Sequence, residues 1–133
     1  MFDTLDVSAS GLRAQRIRMH TIANNLANVN TTRDANGNVK PFKRHFVEFV
    51  QGMQRGGSEG VRVANIRQDQ GPAQKIYDPG HPEADKDGNR LVPNVKPIVE
   101  MVDMLEASRA YEANLTVMDT SKQLMTRSLG LLI

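Results

Sequence analysis

Few residues of this sequence have the types and spacing that catalysis or metal binding requires. His20, His45 and His81 lie far apart, and none has a second histidine three or four residues away, so surface histidines fit better than a metal site. The absence of cysteine excludes disulfide bonds, thiol catalysis and cysteine-based zinc sites. The serines and acids show no spacing typical of a catalytic triad or an acid pair. We therefore predict a protein that is not an enzyme and that binds no cofactor, metal or small-molecule substrate.

Two loop segments match ion-binding or phosphate-binding motifs only in part. The segment 85–89 begins like a calcium loop, but its glycine stands fourth instead of sixth, and Lys96 replaces the glutamate expected at position twelve. We interpret this segment as a polar turn. The glycine-rich segment 56–60 lacks the Lys-Ser or Lys-Thr pair of a phosphate loop, so we interpret it as part of a flexible connection.

Composition and charge give little support for nucleic acid as a partner. The chain has 133 residues with 17 basic and 15 acidic side chains, a net charge of only +2. Arg13, Arg16 and Arg18 could contact phosphates, but without interleaved aromatic residues a solvated helix face fits better. Aromatic residues make up only 5% of the chain, which predicts a thin core that is completed by burial against partners.

Long amphipathic helices at both ends are the elements that position the remaining candidates. In residues 1–30 an apolar stripe with a spacing of seven keeps one helix face apolar, and Ile22 widens it. Its members are Leu5, Leu12, Met19 and Leu26. In residues 94–133 a second stripe has the same spacing, and Leu105 flanks it. Its members are Met104, Tyr111, Met118 and Met125, joined by Met101, Leu115 and Leu129.

The middle region, residues 31–93, is rich in glycine and proline and predicts an irregular β module. Short strands are indicated at 61–63 and 75–77, and Asn36-Gly37 is a strong turn signal. The apolar cluster of Phe42, Phe46, Phe49 and Val50 has a spacing that fits a helix better than a strand. The predicted fold is therefore mainly α with a small β-prone insert. Its two terminal helices form one helical domain, packing as a coiled-coil-like pair around the middle module.

The termini give no indication of a cleaved signal or a membrane span. An acid stands at the third position instead of a positive charge, and no apolar run follows it. No stretch approaches the roughly 18 apolar residues of a membrane helix. We expect a chain that is soluble, or exported without a cleaved signal peptide.

Three segments resemble the family of bacterial flagellar rod and hook proteins. They are the asparagine-rich segment 23–31, the helical segment 101–114, and the loop 77–95, and the short length is similar to that of proximal-rod members. The resemblance implies a structural subunit of the proximal rod, which self-associates and assembles with other subunits into the torque-transmitting shaft. It implies export by the flagellar type III apparatus and a place in the periplasmic part of the basal body. The implied partners are other proximal-rod subunits, the distal-rod protein, the inner-membrane ring region and the export apparatus.

The resemblance favours an assembly role for both helical stripes and for the asparagines at the end of the first helix, which could also simply be a polar helix end. The predicted assembly interface consists of Leu5, Leu12, Met19, Ile22, Asn24, Asn25, Leu26, Asn28, Met101, Met104, Leu105, Tyr111, Leu115, Met118, Met125 and Leu129. Two alternatives stay open. An export chaperone or adaptor would remain in the cytoplasm, and a DNA-binding helical protein would lose affinity steeply as salt rises.

Overall fold

A computed structural model describes residues 2–53, 57 and 59–132 of the chain. Along the chain, two antiparallel hairpins lie between two long helices. The elements are α1 (Phe2–Ala27), β1 (His45–Met53), β2 (Glu59–Gln68), β3 (Gln74–Tyr77), β4 (Asn89–Val92) and α2 (Pro97–Gly130). The mainly α architecture with a β insert is therefore as predicted. Of the predicted flexible connection at 56–60, residues 56 and 58 lie outside the described residues.

The helices α1 and α2 pack against each other in antiparallel orientation. The Asn25 amide near the end of α1 donates a hydrogen bond of 3.0 Å to Glu100 at the start of α2. Towards the other end, a Cβ added at Gly11 would lie 2.9 Å from the Asn114 side chain. Continuing this register brings Phe2 beside the part of α2 around residue 123, so the last turns of α2 extend beyond α1.

The fully buried residues of the two helices are mainly small or polar, and they are buried by the partner helix and by the β1–β2 hairpin. The buried residues of α1 are Ser8, Ser10, Gly11, Ala14, Thr21, Ile22 and Asn25. Those of α2 are Glu100, Ala107 and Ser121. Small residues let the helix backbones approach closely, and each buries less apolar surface than a fully buried leucine or methionine would.

The hairpin β1–β2 packs on the side of α1 next to the seam, where the Val61 N–H donates a 3.1 Å hydrogen bond to Ser10 Oγ. The prediction of helix-like structure around Phe46, Phe49 and Val50 is wrong, because all three lie in β1. The strand register shifts between Glu48 and Phe49. The extra residue of this bulge is Ala64 in β2, because Glu48 pairs with Asn65 and Phe49 with Val63. Apolar residues stand on both faces of β1, so the two-residue alternation that identifies a half-buried strand is absent from it.

Two polar turns in the middle module have the same geometry. Asp34 Oδ1 accepts hydrogen bonds from the backbone N–H groups two and four residues later, at 3.0 and 2.9 Å. Asp85 Oδ1 does the same, at 2.9 Å to each. Each turn needs a glycine at its fourth position, since the backbone φ is 81° at Gly37 and 80° at Gly88. The segment 85–89 is thus a polar turn, as predicted, and it leads into β4, a strand that the sequence pattern did not indicate.

Within the described residues, neither a membrane span nor a metal cluster is present. No helix there is both long and apolar enough to cross a bilayer. No three His, Asp or Glu side chains in that part of the chain come together as a metal would require.

Candidate assembly surface

A buried polar junction joins the end of α1, the start of β1 and the start of α2. The Asn25 amide Nδ2 donates to the His45 carbonyl at 2.7 Å and to Glu100 Oε2 at 3.0 Å, and its Oδ1 accepts from the His45 N–H at 2.9 Å. Both Asn25 and Glu100 are fully buried. One asparagine side chain thus fixes where three segments meet, which explains its place in the asparagine-rich segment better than a polar helix end does.

The charge of Glu100 is balanced by Arg44, which lies just before β1. The Arg44 Nε donates a hydrogen bond to Glu100 Oε1, and its Nη2 lies 3.5 Å from Asp103 Oδ2. A buried carboxylate is tolerated when it is paired and hydrogen-bonded, and both conditions hold here. Sequence reasoning missed Glu100 and Arg44. The sequence did contain one indication for Glu100, which is an acid among apolar residues in the first turn of a helix.

The other two predicted asparagines have different environments. Asn28 Nδ2 donates to the Asn24 carbonyl at 2.9 Å, and the Thr31 hydroxyl donates to Asn28 Oδ1 at 3.1 Å. Asn28 therefore caps the end of α1, where backbone carbonyls lack helical partners. Asn24 is exposed, so its side chain is accessible to a neighbouring molecule.

The members of the predicted apolar stripes differ in how far they are buried. Among their residues, Ile22 is buried, with 4% exposure. The remaining members of the α1 stripe and the four seven-spaced members of the α2 stripe are half-buried. They are Leu5, Leu12, Met19, Leu26, Met104, Tyr111, Met118 and Met125. These side chains contribute to the intrachain packing and still present part of their surface outward.

Four predicted residues on α2 are clearly exposed: Met101 by 56%, Leu105 by 60%, Leu115 by 42% and Leu129 by 63%. Met101 and Leu105 stand on the same helix face as two other exposed apolar residues, Ile98 and Val102. At 100° per residue this face lies opposite the buried Ala107. Within one chain, α2 therefore leaves an apolar patch over its first turns on the side away from α1. Contiguous exposed apolar surface of this kind marks an interaction site.

Gly11 is a seam residue that sequence reasoning missed. Its lack of a side chain leaves room for Asn114, which donates its amide to the Ala110 carbonyl at 2.9 Å. A glycine within an otherwise helical pattern costs about 1 kcal/mol relative to alanine, so its presence is the signal that a close approach was to be expected.

An open cleft of about 380 Å³ lies between α1 and the β1–β2 hairpin. Its polar lining comes from Arg16, His20, Thr21, Asn24 and His45. These side chains do not pair with an acid or a nucleophile there, so the cleft offers a basic, open surface.

Two models of flagellar protein families match the chain. Residues 5–33 match the family described as flagella basal body rod protein. Residues 91–131 match the C-terminal family described as flagellar basal body rod FlgEFG protein. The two segments coincide with most of α1 and with α2, so the family signal lies in the helix pair.

Curated relatives cover nearly the whole chain. The flagellar basal-body rod protein FlgC of Borreliella burgdorferi is 39% identical over 99% of this chain and 97% of that protein. FlgC of Bacillus subtilis is 38% identical over 96% of the chain and 95% of that protein. FlgC of Aquifex aeolicus is 42% identical over 96% of the chain and 94% of that protein. The chain therefore belongs to the FlgC family of flagellar basal-body rod proteins.

Proposed function

We propose that this chain is a structural, non-enzymatic subunit of the flagellar proximal rod, in which the terminal helices form the shaft. The observation that carries this proposal is the exposed apolar face at the start of α2. Ile98 is 78% exposed and Leu105 is 60% exposed, although both lie in a regular helix of 34 residues. Large apolar side chains are stabilised by removal from water, and a neighbouring subunit would provide that removal.

In this proposal the residues of the predicted interface act in two ways. The half-buried members of the stripes, such as Leu12 and Met118, complete a coiled-coil-like packing when neighbouring helices cover their outer surfaces. The exposed members, such as Met101 and Leu129, contact neighbouring subunits directly. Methionine suits such contacts because its flexible, polarizable side chain adapts to non-identical surroundings.

The location and partners follow from the same role. The subunit is exported by the flagellar type III apparatus without a cleaved signal peptide, and it assembles in the periplasmic part of the basal body. Its neighbours are further copies of itself, other proximal-rod subunits, the distal-rod protein and the inner-membrane ring region. Two complementary surfaces on one subunit generate an open helical assembly, which is what a shaft requires.

Mass spectrometry of detergent-purified hook–basal bodies tests the role. We expect the chain to be present and to remain after washes that retain the rod. A strain that lacks the gene should make no complete rod, and the wild-type gene should restore it. A chain found only in the cytoplasm would contradict the proposal.

The second candidate, an export chaperone or adaptor, rests on the same exposed amphipathic helices. A chaperone would bind cargo in the cytoplasm and would be absent from finished basal bodies, so the same preparation separates the two roles. Retention of duplex DNA, with affinity that falls steeply as salt rises, would instead favour a nucleic-acid partner.

A further inference from the structure

The side of α1 that faces away from α2 carries a small and basic face, whose Arg16 also borders the cleft beside the β1–β2 hairpin. Arg16, Ala23 and Ala27 are exposed. At 100° per residue they lie within about 40° of one another around the helix. This face points away from the side of α1 that packs on α2, which is marked by the buried Gly11 and Asn25. A helix face with alanines at successive turns lets another helix approach closely.

The free side of α2 carries a large and acidic face with matching spacing. Met101, Leu105 and Glu112 are exposed and also lie within about 40° of one another. The face points away from the seam residue Ala107, which is fully buried. Large apolar side chains here therefore lie where small ones lie on α1, and an acid lies where α1 has an arginine.

The two faces match in one antiparallel register. The register pairs Ala23 with Leu105, Ala27 with Met101, and Arg16 with Glu112. Moving four or seven residues along α1 corresponds in each case to moving the same number back along α2. Within one chain, α1 and α2 run antiparallel. If two copies lie side by side in the same orientation, α1 of one copy therefore runs antiparallel to α2 of the other.

We propose that a second copy of this chain is the occupant of these faces, with the α1 face of one subunit packed on the α2 face of its neighbour. The inference rests on the proposed rod function and adds the pair of surfaces that copies use for each other. Leucine and methionine fill the space above the alanines, and the arginine–glutamate pair fixes the register. Both faces point away from the contact between α1 and α2 within the chain. A copy that uses its α1 face for one neighbour still has its α2 face free for another, so the same contact can repeat from copy to copy.

Disulfide trapping tests the contact directly, because the chain contains no cysteine. Ala23→Cys and Leu105→Cys are produced together in one strain, and its basal bodies are purified and oxidised mildly. A disulfide needs Cα atoms within about 7 Å of each other, so it reports this pairing alone. We expect a disulfide-linked dimer of the two variants. Combining Ala23→Cys with Asp87→Cys, in the middle module, should give none.

The outcomes separate the inference from the proposed function. Wild-type chain absent from basal bodies contradicts the rod role itself. Chain present without the Ala23–Leu105 disulfide overturns the proposed pairing and leaves the rod role intact. A dimer from Ala23→Cys alone would also overturn it, since the proposed contact never brings two copies of the same residue together.

Charge reversal provides a second test that needs no crosslink. Arg16→Glu and Glu112→Arg should each cause a severe loss of swimming, whereas the double variant Arg16→Glu/Glu112→Arg should swim close to the parent. Lys86→Glu, an equal charge change on an exposed loop, should have no effect. A double variant no better than either single variant would refute the pairing, even if every variant is folded.

Discussion

The middle module and the helix pair differ in how their side chains are paired and buried. In the middle module the two aspartate turns close on their own backbones, and Glu83 joins one turn to the other through Thr32 at 3.1 Å and Arg33 at 2.7 Å. The helix pair fully buries mainly small and polar residues, and it leaves leucines, methionines and valines outside.

We infer from this difference that the helix pair, more than the aspartate turns, depends on neighbouring subunits for its packing. Turns that satisfy their own hydrogen bonds need no partner, so the two aspartate turns are complete within one chain, although the middle module also exposes apolar side chains such as Ile66 and Tyr77. An amphipathic helix gains most of its stability from packing, and here much of the apolar surface is unpacked in the single subunit. The helix pair is therefore the region that a neighbouring subunit stabilises.

The largest effect is expected from Leu105→Asp. Its side chain is 60% exposed in the single chain, so the free energy of unfolding should change by less than about 1 kcal/mol. Assembly would bury the new carboxylate without a partner, so swimming should fall to the level of a strain without the gene. Ile76→Asp, at a 42% exposed position in the middle module, is the matched control and should assemble. Normal swimming by the Leu105 variant would refute the packing account.

Arg44→Ala should have the next largest effect, on folding. It leaves the Glu100 carboxylate buried without its cation, and the loss of one partner from a buried pair costs about 3–5 kcal/mol. Urea denaturation of the purified subunit measures the change. Arg67→Ala removes an exposed ion pair with Glu48 and should cost less than about 1 kcal/mol. Equal losses in the two variants would mean that the junction is not a stabilising feature.

A smaller effect is expected at the close approach between the helices. Gly11→Ala gains about 1 kcal/mol of helix propensity, but the new Cβ would lie 2.9 Å from Asn114, which must move. In the Asn114→Ala background that obstacle is gone, so the full gain should appear. A double-mutant cycle by thermal denaturation measures the coupling. Additive effects would show that the helices are farther apart at this point than described.

The smallest expected effect is a pH dependence in the middle module. The hydrogen bond from the Thr32 hydroxyl, and then the Arg33 charge, hold the pKa of the Glu83 carboxyl below its usual value of 4.5. The ionised form is therefore favoured in the folded state. The resulting stabilisation is present above about pH 4.5 and is lost as the pH falls through the lowered folded pKa.

Glu83→Gln should remove this part of the pH dependence. The measurement compares urea midpoints of the wild type and the variant at several pH values from neutral to below 4.5. We expect the two curves to converge as the pH falls, because protonated Glu83 loses its charge. A constant difference at all pH values would show that the charge of Glu83 plays no part.

Much of the fold could be predicted from the sequence because its strongest signals are local. The seven-residue spacing from Leu5 to Leu26 specifies a helix, and Asn36-Gly37 specifies a turn. The phenylalanines of β1 were assigned wrongly, because Phe46 and Phe49 lie on opposite faces of the strand and the apolar residues of β1 do not alternate with polar ones.

The site was harder to predict because it depends on contacts between distant residues. Nothing local to Glu100 shows that it meets Asn25 and Arg44, which lie 75 and 56 residues away from it in the chain. Helical spacing alone also did not separate the half-buried Met104 from the exposed Met101, since both fit a broad apolar stripe. That separation depends on which face α1 covers.

Hydrogen exchange of backbone amides, compared between the free subunit and purified basal bodies, tests whether assembly completes the packing of the helix pair. In the free subunit we expect moderate protection of α1 and α2, as for a helix pair that is folded but exposes apolar surface, and both helices should become strongly protected in the basal body. Strong protection across residues 5–28 in the free subunit would contradict the account, because the helices would then be complete without neighbours.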